Sequence, residues 1–112
     1  MTSVLLVDSR RSFLDGRDCF TARTNVNALK YLHANESKIR EIWFDSNIGG
    51  KGGLKPVLDY LVMRAKMGAP YKVNIIYVHC QDEAGWQVLE AKLKNAKYNV
   101  QRATVRNTLG AY

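Results

Sequence analysis

The sequence predicts a doubly wound α/β domain built on a five-stranded, mainly parallel sheet. Three apolar runs carry that expectation, each rich in strand-favouring residues and each ending in a polar one. Residues 3–7 run into Asp8, Glu41-Ile42-Trp43-Phe44 runs into Asp45, and residues 73–78 run into His79. Segments of helical spacing alternate with these runs, which is the pattern of a parallel sheet. In open α/β sheets ligands bind beyond the carboxyl ends of the strands. Asp8, Asp45 and His79 are therefore expected to meet at one rim.

Taken in order, the first strand covers residues 3–7 and opens into a polar loop, residues 8–16, with a turn at Asp15-Gly16. That loop has room for barely one helical turn, so the usual first crossover helix is expected to be missing. A second short strand follows at residues 19–23. A link without a helix suggests that this strand runs antiparallel to the first. Thr24 caps a helix over residues 25–34. After the central strand comes the glycine-rich Gly49-Gly50-Lys51-Gly52-Gly53. Leu54, Val57, Leu58, Leu61 and Val62 then mark one face of a helix over residues 54–67, with Pro56 in its first turn and Gly68 at its end. A strand over residues 72–78, a helix over 83–97 and a last strand over 98–105 complete the sheet. Residues 108–112 read as a frayed or loosely docked tail. Right-handed crossovers give the strand order 2-1-3-4-5.

Length and composition fit a single domain, 112 residues long, with 46% apolar residues, enough for a core without covalent staples. No apolar run reaches the roughly 20 residues of a membrane span. Residues 1–4 show no charged segment leading into an apolar one, so no secretory signal is expected. Cys19 and Cys80 lack metal-ligand spacing and read as free thiols, which points to a cytoplasmic setting. The net charge is +7, and Lys92, Lys94, Lys97, Arg102 and Arg106 crowd the C-terminal part without an intervening acid. Such a surface attracts nucleic acid, a phosphorylated small molecule or an acidic protein, or else is simply a solvated face. Zinc spacing, an RNA-binding aromatic signature and a phosphate loop of the Gly-Lys-Ser/Thr kind are all missing from the sequence.

At the expected rim, Asp8 and Asp45 can hold a metal ion, act as bases or cap their own turns. His79 changes charge near neutral pH and suits a general acid. Arg10 and Arg11 can clamp an anion or remain a solvated pair. Gly49, Gly50, Gly52 and Gly53 allow close backbone approach to a ligand, and Lys51 can reach a phosphate. Cys80 follows His79 directly, but neighbours on a strand point to opposite faces, which argues against a nucleophile pair. Trp43, Phe44, Tyr77 and Trp86 read as core.

Several short pieces, in order and on the right strand ends, resemble the receiver-like domains described as cyclic-phosphate-processing receiver domains, over nearly the whole chain. Those domains have a first strand ending Asp-Asp-Glu, an Arg-Thr opening a helix, a strand ending Asp-His-Asp-Leu-Gly and a strand ending His-Ser. This chain reads Asp8-Ser9-Arg10, Arg23-Thr24, Asp45-Ser46-Asn47-Ile48-Gly49 and His79-Cys80 at the matching places. The resemblance implies a divalent metal beside a phosphate, with Asp8 and Asp45 as ligands, Asn47 lending an oxygen and His79 protonating the leaving group. Ser9, Arg10, Ser46 and Asn47 stand where the family has acids and a histidine. Two carboxylates, an amide and a cation make a poor cage, and Arg10 competes for the metal's place.

The leading expectation is thus a diverged, non-catalytic receiver-like domain that binds a phosphate-bearing ligand or a macromolecular partner. Its contact is the strand-end pocket (Asp8, Asp45, His79, Arg10, Asn47, Gly49, Lys51 and Cys80) or the basic surface, and no cofactor is expected. Two alternatives stay open. One is a phosphoesterase for cyclic or terminal phosphates that uses Mg²⁺ or another divalent ion. The other is a phospho-accepting receiver with Asp45 as acceptor, weakened because the last strand ends without the needed Lys.

Overall fold

The computed structural model describes residues 2–48, 53–103 and 108–111. In chain order its elements are β1 (Val4–Val7), β2 (Arg11–Phe13), β3 (Phe20–Ala22), α1 (Asn25–Ala34), β4 (Glu41–Asp45), α2 (Lys55–Lys66), β5 (Ile75–His79), α3 (Glu83–Asn95), β6 (Val100–Arg102) and β7 (Leu109–Ala111). Five of them form one sheet in the order β3-β1-β4-β5-β6, which is the expected 2-1-3-4-5 when only this sheet's strands are counted.

Every neighbouring pair in that sheet is parallel, including β1 with β3, where Leu5, Leu6 and Val7 face Phe20, Thr21 and Ala22. The expected antiparallel second strand is thereby corrected. The link between the two strands, residues 8–19, is about a dozen residues long, which suffices for a parallel crossover even without a helix.

Direction of travel along the sheet decides what covers each face. The connections through α1, α2 and α3 all step the same way, so right-handed crossovers lay all three helices on one face. There Leu5, Val7, Ile42, Phe44, Ile76 and Val78 pack against Ala28 and Leu32 of α1, Leu58 and Leu61 of α2, and Trp86 and Leu93 of α3. The step from β1 back to β3 runs the opposite way and must cross the other face. No helix lies on that face among the described residues, so the expected helices on both sides reduce to one helical layer.

A two-stranded antiparallel ribbon covers the second face instead. β2 pairs with β7 in the register Arg11–Ala111, Ser12–Gly110 and Phe13–Leu109, and the Leu14 amide donates to the Thr108 carbonyl at 2.9 Å. The tail expected to fray is therefore a strand. Without it, β2 would have no partner and the apolar face formed by Leu6 and Trp43 would lose Leu109, which packs there beside Phe13. Phe13 meets Trp43 edge-on at 5.3 Å, and Trp43 stacks on Tyr77 at 4.3 Å.

Local chemistry sets the helix ends. The Thr24 hydroxyl accepts from the Asn27 amide and the Asp82 carboxylate from the Gly85 amide, so both N-caps use a side-chain oxygen. The helix expected over residues 83–97 stops at Asn95. Lys97 takes a left-handed φ of 71°, its amide bonds the Lys94 carbonyl, and the Tyr98 amide bonds Leu93. This is a Schellman closure with lysine in the usual glycine position. Tyr98 then turns inward, where its hydroxyl donates to Leu61 at 2.8 Å and accepts from the Tyr71 amide at 3.0 Å.

Candidate functional site

Register brings the three expected residues together. Val7 lies beside Phe44, so Asp8 emerges next to Asp45, and Asp45 itself pairs with His79 across β4 and β5. Asp8 is only 1% exposed and Asp45 7%. Each carboxylate closes its own turn. Asp8 Oδ1 accepts from the amides of Arg10 and Arg11 at 3.0 and 2.8 Å, and Asp45 Oδ1 accepts from the Asn47 amide at 3.0 Å. These are the short side-chain-to-backbone bonds that Asp forms at strand ends.

A guanidinium occupies the middle of the rim, and it is that of Arg11. Its Nη1 lies 3.3 Å from Asp8 Oδ2, 3.7 Å from Asp45 Oδ2 and 3.2 Å from His79 Nδ1. The Arg10 side chain, expected there, is on an exposed residue. The turn closed by Asp8 explains the exchange. It starts β2 at Arg11, and the Arg23 guanidinium fixes this corner by donating to the backbone carbonyls of Asp8 and Arg11 and to Ser12 Oγ. The sequence places Arg23 at the end of the second strand and in the Arg-Thr helix start, and offers Arg11, with Arg10, as an anion clamp or a solvated pair, not as the partner of these carboxylates. A clue to both is that buried carboxylates at adjacent strand ends need a cation.

Arg11 also dictates the state of His79. A guanidinium has hydrogens to donate and no acceptor, so His79 Nδ1 must offer its lone pair and carry its proton on Nε2. Burial lowers the imidazole pKa below its ordinary 6.5, and the positive charge of Arg11 lowers it further, against the opposing pull of Asp45. The ring is thus held neutral near pH 7.

A divalent ion fits this arrangement poorly. Such an ion needs several convergent oxygen ligands with free lone pairs. Here the guanidinium stands between the two carboxylates, and Asn47 is exposed. Among the described residues, no three of the types His, Cys, Asp and Glu are grouped to hold a metal.

The remaining expected ligand residues fall in different places. Cys80 is buried in the main core, and its thiol lies 3.4 Å from the Asp82 carbonyl. It supports the turn into α3 instead of lining the rim. Gly49 and Lys51 lie outside the described residues, as do Gly50 and Gly52. Gly53 is described and has φ +53°, and a Cβ there would stand 2.0 Å from the Ser46 carbonyl oxygen. Close approach does require that glycine, but toward the protein's own backbone.

The basic surface is also rearranged by acids earlier in the chain. Lys94 pairs with Glu90 at 3.1 Å. Arg102 pairs with Glu83 and donates to the Cys80 carbonyl, tying β6 to the start of α3. Arg106 lies outside the described residues. Lys92 and Lys97 are exposed, and Lys66 of α2, which was not singled out in the sequence, lines a groove with them.

Comparison with known proteins adds no relative: models of known families, curated proteins and solved structures each yield no match to this chain.

Proposed function

We propose that the chain is a diverged, non-catalytic domain of the receiver-like, flavodoxin-like kind, which acts by binding a macromolecular partner through its basic surface. The observation that carries this reading is the Arg11 guanidinium seated among Asp8, Asp45 and His79. A site meant to hold Mg²⁺ and a phosphate needs open carboxylates and a free cation. Here the carboxylates are bonded to backbone amides and to Arg11, and the cation is spent on them. The guanidiniums of Arg11 and Arg23 together balance the two carboxylates, and both are spent on acceptors within the protein, so neither is left free for a phosphate. The strand-end cluster then serves as a neutralised keystone joining β1, β4 and β5 to the β2–β7 ribbon. The exposed lysines carry the binding.

The test is an amide NMR titration with Mg²⁺ and with Mn²⁺, together with an assay against a 2′,3′-cyclic nucleotide. The expected result is no saturable change at Asp8, Asp45 or His79 below about millimolar metal, as ligand count requires, and no hydrolysis. Micromolar binding at the rim, or metal-dependent turnover lost in Asp45→Asn, would overturn the reading.

A further inference from the structure

We infer that the groove between α2 and α3 docks an acidic amphipathic helix of a partner protein. The inference deepens the binding role proposed above by naming the surface and the chemistry of what it takes. The groove has a volume of about 670 Å³ and continues past the C-terminal end of α3 as far as Lys97. Its floor is apolar. Val62, Met63 and Met67 line it, and the two methionines are 48% and 70% exposed. Unbranched thioethers left at a surface form an adaptable contact for apolar side chains.

Charge settles which partner fits. Lys66, Lys92 and Lys97 flank the floor, and none of them takes part in an ion pair among the described residues. Asp59, the acid that lines the groove, is already held by Lys55 at 2.6 Å. An apolar floor between positive flanks is complementary to a helix with an apolar stripe bordered by Asp and Glu. Length agrees as well. The 12 residues of α2 present about 18 Å of groove at the α-helical rise, which three to four turns of a docked helix would cover. RNA fits less well, because the residues lining the groove include no aromatic ring on which a base can stack.

The experiment uses a fluorescein-labelled helical peptide of about four turns, with Leu at i, i+3, i+4 and i+7 and Glu on both flanks. Its twin carries Lys for Glu, and a uridine oligonucleotide of equal charge serves as a third probe. Binding is read by anisotropy and mapped by amide shifts. The acidic peptide is expected to shift Val62, Met63, Met67 and Lys92, with the lysine twin binding at least about tenfold more weakly. The double variant Lys66→Glu, Lys92→Glu is expected to lose about tenfold or more, the sum of two surface charge reversals. Met63→Ser with Met67→Ser should weaken binding independently. Both pairs are exposed, so circular dichroism should report an intact fold. Equal binding of the twin, shifts confined to another face, failure of the acidic peptide to bind, or tighter oligonucleotide binding in the groove would each overturn the inference. Peptide failure beside a metal-silent rim overturns the groove alone, whereas metal uptake at Asp8 and Asp45 overturns the non-catalytic reading whatever the peptide does.

Discussion

Arg11 donates from Nη1 to His79 Nδ1 across 3.2 Å, linking the β2–β7 ribbon to the end of β5. The same nitrogen lies within ion-pair distance of Asp8 and Asp45. One guanidinium thereby sits against two nearly buried carboxylates and sets the tautomer of a histidine. What the rim can do chemically follows from this arrangement.

Removing that cation should be costly. In Arg11→Ala the carboxylates of Asp8 and Asp45 stay buried without the one guanidinium that contacts both, a loss of about 3 kcal/mol. Urea unfolding at pH 7 measures it. Adding Asp45→Asn should restore a substantial part, because less charge is then left unpaired. A single variant as stable as the parent would mean that water already screens the rim.

Acid should weaken the fold through His79. Its folded pKa lies below 6.5, so between the folded and unfolded values the unfolded chain binds more protons and stability rises with pH. The contribution is fully present above pH 6.5 and fades as pH falls through the folded value. His79→Gln keeps an acceptor for Arg11 and cannot titrate, so its stability curve should be flatter across that window. Identical slopes in parent and variant would remove His79 from the account.

Leu109 should matter far more than its place near the chain's end suggests. Leu109→Ala takes a buried side chain off Phe13 and the Trp43 face, which costs about 2–3 kcal/mol. Trp43 fluorescence should shift in the native state as its surroundings open. An unchanged melting curve would show that the ribbon contributes little.

Three left-handed positions should respond differently. Lys97→Gly relieves a non-glycine residue at φ 71° and should stabilise by up to about 1 kcal/mol. Gly53→Ala drives a Cβ to 2.0 Å from the Ser46 carbonyl oxygen and should cost about 2–4 kcal/mol, since backbone must move. Gly68→Ala has the same kind of φ but open space around it, so its loss should stay near 1 kcal/mol. Denaturant midpoints order the three.

The sequence by itself determined the strand order of the sheet, though not the direction of its second strand. Apolar runs of strand length ending in Asp8, Asp45 and His79, separated by helical spacing, leave few parallel arrangements once crossovers are right-handed. Hence the strand order and the meeting of those three residues at one rim were legible, as were the Thr24 cap and the core placement of Phe44 and Trp86. Tertiary structure alone decided the rest. β2 and β7 are three residues each, too short to carry a pattern, and their pairing joins the two ends of the chain. Whether Arg10 or Arg11 reaches the carboxylates depends on a turn closed by Asp8, because neighbouring side chains leave the backbone in different directions. Lys94 and Arg102 looked unopposed because their partners, Glu90 and Glu83, lie earlier in the chain, one helical turn back and across to the start of α3. The lysine-flanked groove needs α2 and α3 packed side by side on one face, a neighbourhood set by the sheet beneath them. Local sequence fixes the helices and the central strands, while the sign and reach of a surface depend on which elements lie next to one another.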